Sequence, residues 1–355
     1  MHKKTTKISI IIVCFTIIFS LLNITIHATE NVNDLYFQSF IFPEADKYVE
    51  ENIGDMINSE SKIVPIDIEK VKVGRGIYVA DNDKNEALPT FYYPVYIGEN
   101  LTYVYRIFDS GTGKYEGVFS KNYVNELLNN AGTSRENAPL WTANNGNEIL
   151  LTSTSTKVIF KSKFGNLPKK VTLPDYLKKR SIDLEIINVR EKIPFNIIPQ
   201  TRAGYWVRTI SYVEHQGNNN WCAAYVTAAA IREMASTPSM RASTIMGYFG
   251  KGTNEACTDA MISQYSARYG ITYTGRYYGV IYPQSLYNEL ENWNLVYGSY
   301  QSNGDGHALL LHGVDGNKAR IWNPWNEYSE WISSISVYYG GGTTWSMRGY
   351  GFYRK

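Results

Sequence analysis

One polar loop and the helix that follows it decide the fold, and they read His215-Gln216-Gly217-Asn218-Asn219-Asn220-Trp221-Cys222-Ala223-Ala224-Tyr225. Gly217 and the three consecutive asparagines are turn formers, so they end any strand that precedes them. From Ala223 to Met234 most residues favour helix. The sequence therefore predicts a helix whose N-terminus carries the thiol of Cys222.

A cysteine at this position is a candidate nucleophile. The thiolate is the reactive form, and the partial positive charge of a helix N-terminus lowers the pKa of a thiol placed there. The alternative interpretation of Cys222 is a small buried hydrophobic residue. Gln216, six residues upstream, favours the first interpretation. Its side-chain amide could donate to an oxyanion that forms beside the sulfur.

A second chemical group is predicted further along the chain, at the start of a hairpin. Residues 306–313 read as a short buried strand, residues 314–317 as a tight turn, and residues 319–323 as the returning strand. Two strands joined so tightly pair antiparallel. This pairing brings His307 beside Asn323.

Together these residues resemble the papain-like cysteine peptidases, and within them the secreted bacterial staphopains. The likeness rests on four elements in the family's order: Gln216, Trp221-Cys222-Ala223, Gly306-His307-Ala308 and Trp322-Asn323-Pro324-Trp325. It covers about residues 200–355, including Thr344-Trp345-Ser346-Met347-Arg348-Gly349-Tyr350-Gly351. The turn between His307 and Asn323 is shorter than in staphopains, and the upstream half shares only a general likeness with staphopain pro-segments.

The resemblance implies a fold and a role for each residue. The expected fold is α+β, a papain-like two-lobed peptidase domain whose helical lobe and antiparallel β lobe face each other across a cleft. Cys222 would be the nucleophile, ionised as a pair with the imidazolium of His307. Asn323 would orient the imidazole ring, Gln216 would bind the oxyanion, and Trp325 would shield the His–Asn hydrogen bond. The implied activity is hydrolysis of peptide bonds in extracellular proteins, with no cofactor and no metal.

Other polar residues of this region have plainer explanations. His312 lies five residues after His307 on the same strand and should face the opposite side of the sheet. His215 sits on the nucleophile's own loop, where no strand holds it. Turn chemistry accounts for Asp305 and Asp315. The His and Cys residues show no paired spacing of the kind that binds zinc.

The N-terminus has the features of a secretory signal peptide. Lysines at positions 3, 4 and 7 precede an apolar run from Ile8 to Ile26, and Ala28 offers a cleavage site. The predicted signal peptide is residues 1–28. The run is long enough that a retained membrane anchor is the alternative.

Residues 29–195 are predicted to be a β-rich, inhibitory pro-region. They contain no Cys and no His, and their Val-, Ile- and Tyr-rich runs predict antiparallel hairpins with helices near 43–57 and 122–131. An independent binding domain is the alternative. Residues 161–198 carry basic clusters among prolines, which predicts an exposed, protease-sensitive linker. The peptidase domain then spans residues 196–355.

Composition limits the partners. The 355 residues carry 35 Lys and Arg against 33 Asp and Glu, a net charge of +2, so no strong field attracts nucleic acid or anionic membrane. Of three cysteines, Cys14 would leave with the signal peptide; Cys222 and Cys257 could form a disulfide, which would abolish the nucleophile. We expect a secreted monomer that acts on proteins or peptides, is not membrane-associated after signal cleavage and could bind a protein inhibitor. An acyltransferase and an inactive binding protein are the alternative functions.

Overall fold

The computed structural model describes residues 34–81, 88–144, 147–151, 156–161, 184–195, 197 and 204–355. The predicted signal peptide and the larger part of the predicted linker lie outside these residues. We call residues 34–195 the N-terminal half and residues 204–355 the C-terminal half. The described residues from Leu35 onward form one compact unit that includes both halves.

The N-terminal half is mostly strands, as its Val-, Ile- and Tyr-rich runs predict. Its helices are α1 (Pro43–Ser61) and α2 (Val124–Asn130). Its strands are β1 (Tyr36–Ser39), β2 (Val71–Gly74), β3 (Ile77–Asp81), β4 (Thr90–Ile97), β5 (Asn100–Asp109), β6 (Tyr115–Ser120), β7 (Leu140–Asn144), β8 (Asn147–Leu151), β9 (Thr156–Lys161), β10 (Glu185–Asn188) and β11 (Lys192–Ile193).

Hairpins connect these strands. β4 pairs antiparallel with β2, β3 and β5, and β5 pairs with β6. β7, β8 and β9 form an antiparallel meander, which joins the rest through a parallel pairing of β7 with β3. Helix α1 lies against β5 and β6, because its apolar residues at helical spacing, Val49, Ile53 and Met56, are all buried.

The prediction of an exposed linker is wrong for residues 184–195, the C-terminal part of that segment that the structure describes. β10 pairs with β1 and β11 pairs with β2, so both strands belong to the fold of the N-terminal half. Ile187 and Val189 are buried by these pairings. The basic and acidic residues at 190–192 suggested a solvated segment, whereas the alternating apolar residues before them fill the core.

The C-terminal half places most of its helices before its long strands, which confirms the α+β class. Its helices are α3 (Cys222–Ala235), α4 (Ala242–Tyr248), α5 (Asp259–Ala267) and α6 (Pro283–Glu291). Its strands are β12 (Tyr205–Val207), β13 (Thr272–Tyr273), β14 (Tyr277–Tyr278), β15 (Leu295–Ser302), β16 (Asp305–Asp315), β17 (Lys318–Trp322), β18 (Glu330–Ile332), β19 (Val337–Gly340) and β20 (Thr343–Arg354).

The strands of this half run in the spatial order β20, β15, β16, β17, β18, all antiparallel. β12 pairs antiparallel with the C-terminal end of β16, and β13, β14 and β19 pair with β20. Helix α3 packs against β15 and β16. The predicted helix N-terminus and the predicted hairpin are therefore in contact.

The two halves share one hydrogen-bonded sheet. Of the strands that the structure describes, eighteen belong to this sheet, and β1 and β10 form a separate pair. The connection between the halves is β6 with β18, where Phe119 pairs with Trp331 and Val118 with Ile332. Trp331 is fully buried among apolar residues of the N-terminal half.

Candidate active site

Cys222 opens α3, as the sequence predicts, and its residue is half-buried. The backbone N–H groups of Cys222 and Ala223 in the first turn and of Ala308 in β16 lie near enough to the sulfur to favour its thiolate form. Burial raises the pKa of the Cys222 thiol, and these N–H groups together with the nearby Arg276 guanidinium oppose that rise. The sulfur thus lies between the helix N-terminus and the strand that carries His307.

His307 is held near the start of β16 by a tight hairpin. The turn from β15 to β16 uses Asn303 and Gly304 with φ values of 49° and 91°, the left-handed pair that suits a two-residue hairpin. The His307 ring is buried, with Nε2 at 2.8 Å from Asn323 Oδ1. Nδ1 has no hydrogen-bond partner among the described residues. One ring nitrogen is therefore oriented by Asn323, and the other remains available.

Asn323 and Trp325 complete the surroundings of the imidazole, as predicted. Asn323 follows β17 directly, is buried, and also accepts a hydrogen bond from the backbone N–H of Trp325 at 3.0 Å. The Trp325 ring stacks on the His307 ring, with centroids 3.7 Å apart and planes 14° apart. Trp325 therefore covers the imidazole that Asn323 binds.

Gln216 lies beside this turn, because its backbone N–H donates to Pro324 O at 2.7 Å. Its side-chain Nε2 donates to Asn219 O at 2.7 Å, within its own loop. Oε1 is buried without a hydrogen-bond partner in the described part of the chain. An amide nitrogen carries two N–H groups, so one remains for an incoming oxyanion.

The thiolate–imidazolium pair that the resemblance implies is not favoured in the full chain. Burial lowers the pKa of His307 to about 4, and its hydrogen bond with Asn323 offsets only part of this effect. Burial likewise raises the pKa of Cys222. Both shifts favour the neutral thiol and the neutral imidazole, because neither charge is solvated.

The rival histidines have other surroundings. His312 is buried, with Nδ1 at 2.6 Å from Arg208 O and Nε2 at 2.7 Å from Ser329 Oγ. Both of its nitrogens are thus occupied by structural contacts. His215 is exposed. Asp315 accepts hydrogen bonds from Ser59 and Lys62 of the N-terminal half, so it has an interface role beyond turn chemistry.

Cys257 is a free cysteine, as is Cys222. It is buried, and burial raises its pKa to about 12, with a further contribution from the charge that Cys222 would carry. Cys257 therefore keeps its proton at neutral pH. Only Cys222 of the two has N–H groups directed at its sulfur to stabilise a thiolate.

Sequence reasoning missed a buried polar network behind Asn323. Asn323 Nδ2 donates to Tyr338 OH at 2.9 Å, and Tyr338 OH donates to Glu330 Oε2 at 2.7 Å. Glu330 also pairs with Arg106 of β5. No local pattern of the sequence indicates that Tyr338 and the distant Arg106 bind the same carboxylate.

A cavity of about 350 Å³ lies between the halves next to this site. One wall belongs to the loop before α2 and its first residues, and the other to the loops around Gln216 and Trp325. The lining residues are Lys121, Asn122, Tyr123, Asn125 and Glu126 on one side and His215, Gln216, Trp325, Asn326 and Glu327 on the other.

The chain matches no model of a known protein family and no curated protein sequence. The likeness to papain-like peptidases therefore rests on the residues of the site. Within the described ranges, no cluster of three or more His, Cys, Asp or Glu could hold a metal ion. No helix among those same residues is both long and apolar enough to cross a membrane.

Proposed function

We propose that this chain is a secreted bacterial cysteine endopeptidase, made as a zymogen, whose peptidase domain has a papain-like two-lobed fold. One observation supports the proposal above all others. Cys222 begins a helix, its sulfur lies near the backbone N–H of Ala308, and the residue before Ala308 is the His307 that Asn323 binds. Nucleophile, base and orienting amide are the three parts that such a mechanism needs.

In the proposed reaction, the thiol proton of Cys222 passes to Nδ1 of His307. The sulfur then attacks the carbonyl carbon of the peptide, and the resulting oxyanion is bound by the backbone N–H of Cys222 and the free N–H of Gln216. Each such donor lowers the barrier by about 2.7–4 kcal/mol. His307 gives its proton to the leaving amine, and the C–N bond breaks to leave a thioester.

Hydrolysis of the thioester uses the same residues. Water loses a proton to Nδ1 of His307 as its oxygen attacks the thioester carbonyl carbon. The C–S bond then breaks, the carboxylic acid product leaves, and the sulfur takes the proton back from Nδ1 of His307. Asn323 holds the ring throughout, and Trp325 keeps water from the hydrogen bond between His307 and Asn323.

Latency of the full chain follows from one feature of the N-terminal half. A leaving amine that departed past Gln216 and Trp325 would enter the cavity beside them, whose opposite wall is Lys121, Asn122, Tyr123, Asn125 and Glu126. A polypeptide substrate crossing Cys222 in this direction would meet the wall.

The experiment compares variants of the full chain after treatment with a protease that degrades the N-terminal half. Wild-type protein should hydrolyse casein and lose this activity on alkylation with iodoacetamide. Cys222→Ala should not hydrolyse casein. Cys257→Ser is the matched control and should keep the activity. Casein hydrolysis by Cys222→Ala, after the added protease has been inhibited, would refute the proposal.

A further inference from the structure

The site continues behind Asn323 as a chain of buried side chains. Asn323, Tyr338 and Glu330 have exposed fractions of 1%, 0% and 0%. Their hydrogen bonds run from Asn323 Nδ2 to Tyr338 OH at 2.9 Å and from Tyr338 OH to Glu330 Oε2 at 2.7 Å. Asn326 Nδ2 also donates to Glu330 Oε2 at 2.9 Å.

The hydrogen bonds that link Asn323, Tyr338 and Glu330 all run in one direction, from donor to acceptor toward Glu330. The carboxylate of Glu330 forms an ion pair with the Arg106 guanidinium and accepts its hydrogen bonds, so Tyr338 donates to it. Burial, and next the charge of Glu330, raise the pKa of Tyr338, so its hydroxyl keeps the proton that it donates. The Tyr338 oxygen must then accept from Asn323, which presents its NH₂ group to Tyr338.

This direction decides the tautomer of His307. With its NH₂ group toward Tyr338, Asn323 turns its carbonyl oxygen toward His307 Nε2 at 2.8 Å. A carbonyl oxygen accepts, so Nε2 must carry the proton and Nδ1 must have the free lone pair. That tautomer is the one that can take a proton from the thiol.

Glu330 is divided between the two halves of the protein. Its Oε2 binds Tyr338 and Asn326, both of the C-terminal half. Its Oε1 is bound by residues of the N-terminal half, namely the guanidinium of Arg106, Ser120 Oγ at 3.0 Å and Asn122 Nδ2 at 3.2 Å. Removal of the N-terminal half would leave the donors on Oε2 in place.

We propose that Tyr338 and Glu330 are positioning residues of the site, which fix the amide of Asn323 and through it the Nε2–H tautomer of His307. The inference rests on the proposed function, because the tautomer matters only if His307 accepts a proton from Cys222. Neither residue touches the substrate. Both act through Asn323.

The test is the tautomer of His307, measured in the full chain by ¹⁵N NMR with labelled histidine. Wild-type His307 should carry its proton on Nε2. His312 is an internal reference of the opposite kind, because its Nδ1 faces the carbonyl of Arg208 and must donate to it. Wild-type His307 with its proton on Nδ1 would overturn the proposal without any variant.

Two variants test the hydrogen bond between Asn323 and Tyr338 and the hydrogen bond between Tyr338 and Glu330. Tyr338→Phe removes one oxygen and leaves the backbone N–H of Trp325 as the remaining donor that orients the Asn323 amide toward His307, so it should give a mixture of Nε2–H and Nδ1–H forms at His307. Glu330→Gln keeps the size of the side chain but offers an N–H to Tyr338, so it should also raise the Nδ1–H fraction. The matched control is Tyr353→Phe, which removes another buried hydroxyl, one bonded to Thr227 at 3.0 Å, and should leave His307 unchanged.

Kinetics separate this proposal from the proposed function. In processed protein, Tyr338→Phe should lower kcat about tenfold with KM unchanged, since a wrong histidine tautomer impairs proton transfer and not binding. If processed wild-type protein has no activity but the tautomer responds as expected, the function fails and the positioning stands. A His307 that stays fully Nε2–H in folded Tyr338→Phe and Glu330→Gln overturns the positioning role.

Discussion

Arg106 and Glu330 form an ion pair in which neither side chain is exposed to solvent. The two residues belong to different halves of the protein, and Glu330 reaches Asn323 through Tyr338. A second pair, Arg320 with Glu60, crosses the same interface beside Trp331. Two buried ion pairs, Arg106 with Glu330 and Arg320 with Glu60, therefore join the N-terminal half to the region behind the proposed site.

The first prediction concerns the stability of the full chain. Arg106→Leu removes the counter-ion of a fully buried carboxylate, which costs about 3–5 kcal/mol. Denaturant titration should therefore show a large fall in the free energy of unfolding. Lys251→Leu, which breaks an exposed pair with Glu255, is the control and should change it little. Equal effects of the two variants would contradict a structural role for the Arg106–Glu330 pair.

A second prediction concerns a single cut between residues 162 and 203. The halves share β-sheet pairing at β6 and β18, and Trp331 is buried in the N-terminal half. A nick should therefore leave the two fragments associated, and they should elute together in size-exclusion chromatography at neutral pH. Separation should require denaturant or degradation of the N-terminal fragment. Fragments that separate on nicking alone would show that the interface is weak.

The third prediction distinguishes the two buried histidines. His307→Ala should reduce casein hydrolysis by processed protein at least about a hundredfold, because general acid–base catalysis is lost. His312→Ala should retain activity but lower the free energy of unfolding by about 1–3 kcal/mol, because it removes the hydrogen bond to Arg208 O and one of the hydrogen bonds of Ser329 Oγ. Equal loss of activity in both variants would contradict the assignment of His307 as the base.

A fourth prediction is a loss of stability in acid. Burial lowers the pKa of His307 from 6.5 to about 4, and burial with the charge of Arg320 lowers that of His312 to about 3. Between pH 6.5 and 4 the unfolded chain binds more protons at these sites than the folded one, so the free energy of unfolding falls as pH falls. For His307 the difference of about 2.5 units corresponds to ~3 kcal/mol.

Histidine substitutions test this pH dependence directly. Denaturant titrations at several pH values should show a smaller decline in His307→Gln and His312→Gln than in wild type. His215 is exposed, so His215→Gln is the matched control and should follow the wild-type curve. The same decline in all four proteins would mean that the buried histidines do not govern it.

Local sequence patterns predicted the parts of the site that lie close together in the chain. A turn-forming loop before an alanine-rich run places Cys222 at a helix N-terminus, and a tight hairpin brings His307 to Asn323. These relationships depend on turn chemistry and strand pairing over few residues. The sequence reports such features directly.

Long-range relationships were not predictable in the same way. Arg106 and Glu330 are 224 positions apart, and each alone reads as a solvated charge in a strand. β10 was hidden among charged residues, and β20 was missed because its glycines at 349 and 351 lower strand propensity. The pKa shifts of Cys222 and His307 could not be predicted either, because they depend on burial in the folded chain.

Latency is the measurement that tests the central claim most directly. Casein hydrolysis should be followed while a protease degrades residues 34–195 of wild-type protein and of Cys222→Ala, with the added protease inhibited before each assay. Activity should be nearly absent in the intact wild-type chain. It should rise with a C-terminal fragment beginning between about residues 196 and 204, after β11 and before β12, and Cys222→Ala should give the fragment without activity. Intact wild-type protein that hydrolyses casein as fast as the isolated fragment would contradict the account.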